Sequence, residues 1–308
     1  MVISYAMIRS ISSFFYYHSL VTCMLTRKQK QKKRKLALSE FTRCHPRIKG
    51  VKGTHATCLP DSVSSRMRKT WKAHTLHDLW TATSCAPGAD HCLLEKSGLG
   101  DKEKRDLREK YLRPRYPAAW RKKPDTWLDN VNIAQVMEQY QEAFPWFRFM
   151  GVLPIDFSIP DPYRTDGVVQ CLHKDICTLQ LKEEYTKRGI RGIGLIFNLD
   201  PHDKGGSHWV GLYIDLHDIV APQISYFDSY GYKTPPMIAR LMRAFTLQIP
   251  GCRLAYNARR YQRGGTECGM FSMYFLICMI HGIPFDQFCK DAVDDQMMLQ
   301  LRPILFSS

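Results

Sequence analysis

The chain has 308 residues, a length that allows one full hydrophobic core and a smaller second part. Its apolar share of 44% and charged share of 24% are those of a globular protein rather than of a chain disordered throughout. The net charge of +15 is uneven, because residues 1–124 hold 27 Lys and Arg against 9 Asp and Glu. Such a basic segment suits phosphate or acidic surfaces, although a solvated surface without a specific partner fits equally well.

Eleven cysteines are scattered along the chain without a framework spacing, and their number is odd. In a chain of this length that pattern is typical of reduced thiols in an intracellular compartment. We therefore expect no disulfide framework.

The first 25 residues are apolar but include Arg9 and His18. The run after Arg9 is short for a membrane span, which needs about 18–20 apolar residues. We expect no stable span, and a membrane anchor and a start at Met24 remain equally open. Residues 27–35 are almost all basic, so we expect residues 1–40 to form a disordered tail. That tail would bind nucleic acid, direct the protein to the nucleus or merely keep it soluble.

Residues 41–124 predict an accessory region that is mostly helical. Residues 61–80 have the apolar spacing of one helix, with Val63, Met67 and Trp71 on one side. Residues 105–123 are basic and interrupted by prolines, which predicts a linker. Cysteines and histidines recur between residues 41 and 95, but no Cys-x-x-Cys pair occurs and the spacing is irregular, so we expect no metal site.

Residues 125–308 predict a catalytic domain, because their residue pattern differs from that of the N-terminal region. The patterns indicate strands at 192–198, 207–216, 223–228 and 253–261, and helices at 127–140, 235–247 and 269–280. The last of these helices is apolar on every side and should be buried. Strands gathered in a block between helices predict an α+β fold.

Cys268 occupies an unusual position, at the point where a polar loop with Gly264 and Gly265 enters that apolar helix. A helix N-terminus and a neighbouring imidazolium both favour the thiolate, which is the nucleophilic form of cysteine. The glycines allow the backbone to turn sharply and to approach a bound carbonyl group. A buried free cysteine without chemistry is the alternative explanation.

Three other polar residues complete a possible catalytic group. His208 lies near the start of one predicted strand and Asp228 ends the next, so neighbouring strands would bring both side chains to one sheet edge. Asp228 would then orient the imidazole, and His208 would act as the base for Cys268. Gln262 lies six residues before Cys268, and its amide with the Cys268 N–H could stabilise an oxyanion. Taken singly, each of the three residues is common in structural roles.

The set His208-Trp209, Asp228 and Gln262-x₅-Cys268-Gly269 resembles the superfamily of ubiquitin-like-protein-specific cysteine proteases, which includes adenovirus maturation protease. That superfamily shows the chain order His, Asp or Asn, Gln, Cys. The segment at 226–231 and the residues from Asn257 onward look most similar to maturation proteases of large cytoplasmic DNA viruses, such as the African swine fever virus protease. The resemblance covers residues 125–308.

The resemblance implies a papain-like core with a central mixed sheet flanked by helices, and no cofactor or metal. It implies that Trp209 covers the substrate groove and that Gly265 and Gly269 line it. It further implies a monomeric thiol endopeptidase that cuts viral core or capsid precursors after Gly-Gly or Gly-small sequences. We expect such an enzyme in the virion and the host cytoplasm, with the nucleus as an alternative.

Two other functions remain open at this stage. One is a protease that removes ubiquitin-like modifiers from conjugates. The other is a nucleic-acid-binding structural protein with an inactive protease fold, which the basic N-terminal region would suit.

Overall fold

The computed structural model describes residues 21–22, 35–49, 51 and 56–307. Of Val21 and Thr22 only the backbone is described. The predictions of an N-terminal anchor, of a start at Met24 and of a disordered basic tail therefore fall almost wholly outside the described residues. In the part of the chain that is described, no helix is both long and apolar enough to cross a membrane.

A mixed β-sheet organises the chain. Its strands are β1 (Val21–Thr22), β2 (Phe147–Pro154), β3 (Gly192–Asn198), β4 (Trp209–Asp215), β5 (Gln223–Phe227) and β6 (Arg253–Tyr256). They lie in the order β1-β6-β5-β4-β3-β2. β4 is antiparallel to β3 and β5, whereas the other neighbours are parallel. The predicted α+β fold is confirmed, and β2 is a strand that we did not assign from the sequence.

The helices are α1 (Asp61–Thr70), α2 (Leu76–Ala82), α3 (Asp90–Glu95), α4 (Asp101–Tyr111), α5 (Asn130–Ala143), α6 (Lys174–Cys177), α7 (Leu181–Lys187), α8 (Pro236–Thr246), α9 (Cys268–Ile280), α10 (Phe285–Lys290) and α11 (Asp295–Leu305). Short 3₁₀ helices cover Leu38–Glu40 and Ala118–Arg121. The three helices predicted in the second half of the chain agree with α5, α8 and α9 to within a few residues.

The chain forms two compact units. One consists of residues 1–35 with 144–295, and the other of residues 36–143 with 296–308. The units thus divide after residues 35, 143 and 295, whereas the sequence placed limits after 40 and 124. The domain limits themselves stay a prediction. All the candidate catalytic residues belong to the first unit.

In the unit that holds the sheet, α9 packs closely on the central strands. Every residue of α9 is buried, as its apolar sequence predicts. A Cβ added at Gly211 of β4 would lie 2.7 Å from a ring carbon of Phe275, so a glycine there permits the close approach. Phe275 also stacks on Phe227 of β5, with ring centroids 5.2 Å apart. This packing fixes the N-terminus of α9 relative to the ends of β4 and β5.

Two predictions are wrong for the unit of residues 36–143 and 296–308. The predicted helix at 61–80 is two helices, because the chain turns at Lys72, whose φ is +52°. Thr75 then starts α2, and its hydroxyl accepts a hydrogen bond from the Asp78 N–H as a helix cap. The predicted linker at 105–123 is also wrong for its first part, since α4 extends to Tyr111 and the first of the prolines, Pro114, follows it.

The expectation of reduced thiols is wrong for six cysteines. Disulfides join Cys44 to Cys58, Cys85 to Cys92 and Cys171 to Cys177. Their Cα atoms lie 5.4, 5.8 and 6.5 Å apart, within the range that a disulfide requires. Sequence spacing could not reveal these pairs, because pairing depends on which turns fold back on each other. Cys252 and Cys268 form no disulfide within the described part of the chain.

The fit between α9 and β4 predicts the effect of a single methyl group. We expect Gly211→Ala to lower the free energy of unfolding by about 1–3 kcal/mol, because the new Cβ must displace Phe275. The control is Gly205→Ala, where an added Cβ meets nothing within 4 Å, and we expect a change within about 0.5 kcal/mol. Denaturant and thermal unfolding of both variants measure the difference. Equal stability of the two variants would contradict this account of the packing.

Candidate active site

His208 and Asp228 meet where β4 begins and β5 ends. Gly211 pairs with Phe227, so the same antiparallel register places the residues just before β4 beside those just after β5. The Nε2 atom of His208 lies 2.9 Å from Oδ1 of Asp228. Asp228 is fully buried, and its Oδ1 also accepts a hydrogen bond of 2.8 Å from the Tyr230 N–H. The carboxylate is therefore held by two donors and cannot swing away from the imidazole.

Cys268 is the first residue of α9 and is 2% exposed. Its side chain is hydrogen-bonded to that of His208. Because Nε2 faces Asp228, Nδ1 is the imidazole nitrogen left for the sulfur. The helix N-terminus supplies a partial positive charge at the same point, which favours an anion there.

The pKa of His208 reflects this arrangement. Burial by itself lowers the pKa, since a charged imidazole loses its hydration. The hydrogen bonds to Asp228 and Cys268, with the negative charges of both groups, outweigh burial and raise the pKa to about 9. At neutral pH the imidazole is thus protonated and can pair with a thiolate.

Gln262 is fully buried beside these residues. Its Oε1 accepts a hydrogen bond of 2.7 Å from the Ser229 hydroxyl, and its Nε2 donates one of 2.9 Å to the Gly264 carbonyl. The Gln262 backbone N–H donates to the Ser229 carbonyl, also over 2.9 Å. The glutamine is therefore tied to the segment that directly follows Asp228.

Two residues that sequence reasoning missed hold the loops of the site. Asn257 accepts a hydrogen bond from the Asp228 N–H and donates one to the Asp228 carbonyl, which clamps that residue from both sides. Asp295 accepts hydrogen bonds from the N–H groups of Arg263 and Gly264 through Oδ2. A side-chain amide that binds both backbone groups of a distant residue leaves no signal in a single sequence.

The remaining predicted residues surround the same site. Trp209 is the first residue of β4, directly after His208, and is 7% exposed. Gly265 lies in the exposed loop before α9, where an added Cβ would meet nothing within 4 Å. Gly269 is buried in the first turn of α9. Their roles towards a substrate stay predictions.

The described cysteines and histidines between residues 41 and 95 do not gather into a donor set. Cys44, Cys58, Cys85 and Cys92 are in disulfides. Burial lowers the pKa of His91 to about 4, and its Nε2 lies 3.0 Å from the Arg113 carbonyl, so it is a neutral core residue. Among the described residues, His, Cys, Asp and Glu form no group of three that could hold a metal ion.

Comparison with known proteins finds relatives that are similar over the segment that holds this site. Residues 193–306 match the catalytic domain of the Ulp1 protease family, described as C-terminal in that family. A thiol protease of Acanthamoeba polyphaga mimivirus is 31% identical over 189 residues, which cover 60% of this chain and 58% of the mimivirus protein. The chain thus matches under two thirds of that relative. Proteases of African swine fever virus are 24% identical over 203 residues, covering 64% of this chain and 74% of theirs.

A solved structure has the same fold. The crystal structure of the African swine fever virus protease superposes with a TM-score of 0.62 and covers 86% of this chain and 95% of that one. The sequence identity of that pair is 18%, so the likeness concerns the fold alone.

The raised pKa of His208 predicts that the stability of the folded protein depends on pH. Because the folded-state pKa of about 9 exceeds the ordinary 6.5, protonation stabilises the folded protein. That contribution is complete below about pH 6.5 and is lost as the pH rises through about 9. NMR titration should show the His208 imidazole protonated up to about pH 9. In Asp228→Asn the midpoint should fall by about one unit or more, since the carboxylate charge is gone.

A second Asp–His pair supplies the control for this titration. Asp215 contacts His217 over 2.9 Å at the end of β4 opposite to His208, where both side chains are exposed. Asp215→Asn should leave the titration of His208 unchanged. A His208 midpoint at or below 6.5 in the wild-type protein would contradict the assignment of an ion pair.

The match to the Ulp1 family begins within β3 and ends in the last residues, so it includes every residue of the candidate site. Residues 193–306, with the buried Cys268, His208 and Asp228 among them, are thus similar to the catalytic domain of the Ulp1 family of cysteine proteases.

Proposed function

We propose that the protein is a cysteine endopeptidase that cleaves precursor proteins during the assembly of virus particles. The single observation that carries the catalytic part is the His208 imidazole, bonded to Asp228 and to Cys268, with a pKa of about 9. The viral part is supported by the similarity to proteases of two large DNA viruses. Substrates would be viral structural precursors, cut after Gly-Gly or Gly-small sequences.

The residues act in a defined order in this proposal. The Cys268 thiolate adds to the scissile carbonyl carbon, and the π electrons of the carbonyl move to its oxygen. The Gln262 amide and the Cys268 N–H stabilise that oxygen anion. The anion collapses, the C–N bond breaks, and the His208 imidazolium gives its proton to the leaving amine. Water, deprotonated by His208, then hydrolyses the thioester and restores the thiolate.

Asp228 and Trp209 have supporting roles in this mechanism. Asp228 orients the imidazole and stabilises its charged form, as the acid of a catalytic triad does. Trp209 covers the substrate groove, and Gly265 and Gly269 let the substrate backbone approach the sulfur. Small residues in the substrate would then be required, because the covered groove excludes large side chains.

Replacing the nucleophile tests the catalytic assignment. We expect Cys268→Ala and His208→Ala to lower cleavage of Gly-Gly-x peptides by about 10⁴-fold or more. Cys252 is free and half-buried outside the site, so Cys252→Ala should keep wild-type activity. Mass mapping after iodoacetamide should find the label on Cys268 in the wild type and Cys252→Ala proteins. Full activity of Cys268→Ala would refute the mechanism.

A deconjugating protease is the second candidate. Some of the African swine fever virus relatives are named SUMO-1 cysteine proteases, and this name favours it. We expect the purified enzyme to cut a Gly-Gly-containing viral precursor faster than a ubiquitin-like modifier conjugate. The ratio of kcat/KM for the two substrates decides between the functions. A conjugate cleaved faster than any precursor would favour deconjugation.

The basic excess of residues 1–124 supports nucleic acid as an additional partner. Arg121, Lys122 and Lys123 are consecutive, exposed, and in no salt bridge within the described chain. We propose that this region tethers an active enzyme to nucleic acid in the virus factory and the virion, with the nucleus as an alternative location. DNA binding by the full chain should then weaken steeply between 50 and 200 mM salt, by about 10-fold or more. Binding that is absent at 50 mM salt would refute the tether.

A further inference from the structure

The carbonyl oxygen of Gly264 is shared by two side chains of the site. The Tyr230 hydroxyl donates a hydrogen bond to it over 2.9 Å, and Gln262 Nε2 donates another over 2.9 Å. Asp295 holds the N–H of the same glycine. The carbonyl is thus a fixed acceptor at the turn between the glutamine and Cys268.

This acceptor decides which way the Gln262 amide faces. A carbonyl oxygen only accepts hydrogen bonds, so a rotated amide would bring Oε1 against Gly264 O, acceptor against acceptor. The Ser229 hydroxyl lies 2.7 Å from Oε1. Because a hydroxyl can donate or accept, this contact by itself would allow either orientation of the Gln262 amide. One Nε2–H is used by Gly264, and the second makes no bond within the described chain. That second N–H is the one available to an oxyanion.

Tyr230 connects this amide to the imidazole. Its ring stacks on His208, with centroids 4.9 Å apart and planes at 28°. Its N–H donates to the Asp228 oxygen that also contacts His208. The Arg260 guanidinium lies 5.1 Å from the centre of the Tyr230 ring, and its Nε donates a hydrogen bond to the backbone carbonyl of Gln262. Partial burial and the charge of Cys268 raise the pKa of Tyr230, so its hydroxyl keeps the proton that it donates.

We infer that Tyr230 is a positioning residue, which acts through Gly264 O to hold the Gln262 amide with its free N–H towards the reacting carbonyl oxygen. The inference rests on the proposed peptidase function and adds to it a residue outside the catalytic set. The tripeptide 228–230 then serves both halves of the reaction. Asp228 orients the proton donor, whereas Ser229 and Tyr230 orient the oxyanion donor.

Removal of one hydroxyl isolates this role. Tyr230→Phe keeps the ring on His208 and loses only the bond to Gly264 O. We expect kcat to fall by about 3- to 10-fold with KM nearly unchanged, because a single net hydrogen bond is lost. Tyr232→Phe is the matched control, since Tyr232 is exposed and its ring lies 5.8 Å from that of Tyr230, and it should keep wild-type kcat.

A double-mutant cycle with Gln262→Ala decides whether Tyr230 acts through the glutamine. Gln262→Ala alone should cost about 10²–10³ in kcat. Adding Tyr230→Phe to it should cost nothing further, because no amide remains to be oriented. Additive losses in the double variant would overturn the inference while leaving the peptidase function intact.

A measurement independent of cleavage separates the two proposals. With ¹⁵N-labelled glutamine side chains, NMR should show one slowly exchanging Gln262 amide proton in the wild-type protein. Its exchange should be several-fold faster in Tyr230→Phe and unchanged in Tyr232→Phe. Equal exchange in all three proteins would overturn the positioning role, whatever the activity. A wild-type protein that cleaves no peptide yet shows this pattern would instead refute only the peptidase function.

Discussion

The buried contact between His208 and Asp228 is the interaction on which the rest of the site depends. An imidazolium that is 8% exposed loses most of its hydration, and burial alone would leave it neutral at physiological pH. The fully buried carboxylate 2.9 Å away reverses this preference. In the proposed function, a charged His208 pairs with the Cys268 thiolate and later donates a proton to the leaving amine. The same contact would then set both the proposed nucleophile and the proposed acid.

The contact depends in turn on packing well away from the reacting atoms. Asp228 directly follows β5, and Phe227, the last residue of β5, stacks on Phe275 of α9. Cys268 starts the same helix, two turns before Phe275. His208, Asp228 and Cys268 thus lie in or directly beside rigid elements that share one aromatic core. The proposed oxyanion donor, Gln262, lies in a loop. There the hydroxyls of Ser229 and Tyr230 donate hydrogen bonds and the Asp295 carboxylate accepts one, which replaces the rigidity of a strand.

The residue pattern predicts the correct helix or strand where that pattern fits only one environment. The all-apolar run after Cys268 could only be a buried helix, and α9 begins within one residue of the predicted start. The strands 192–198 and 223–228 were recognised for a similar reason. The residue pattern predicts the wrong element where local signals compete. The helix predicted at 61–80 breaks at Lys72, because the cap at Thr75 starts a new helix. The disulfides were missed because pairing is a property of the folded chain.

The amino-acid sequence by itself determined the chemical types available and their order along the chain. It supplied a thiol at a helix start, an imidazole before one strand, a carboxylate after the next, and an amide six residues before the thiol. Tertiary structure alone decided the distances between these groups and the charge of the imidazole, because both follow from strand register and burial. It also brought in Tyr230 and Asn257, whose hydrogen bonds join segments more than 25 residues apart and so have no period or spacing to reveal them.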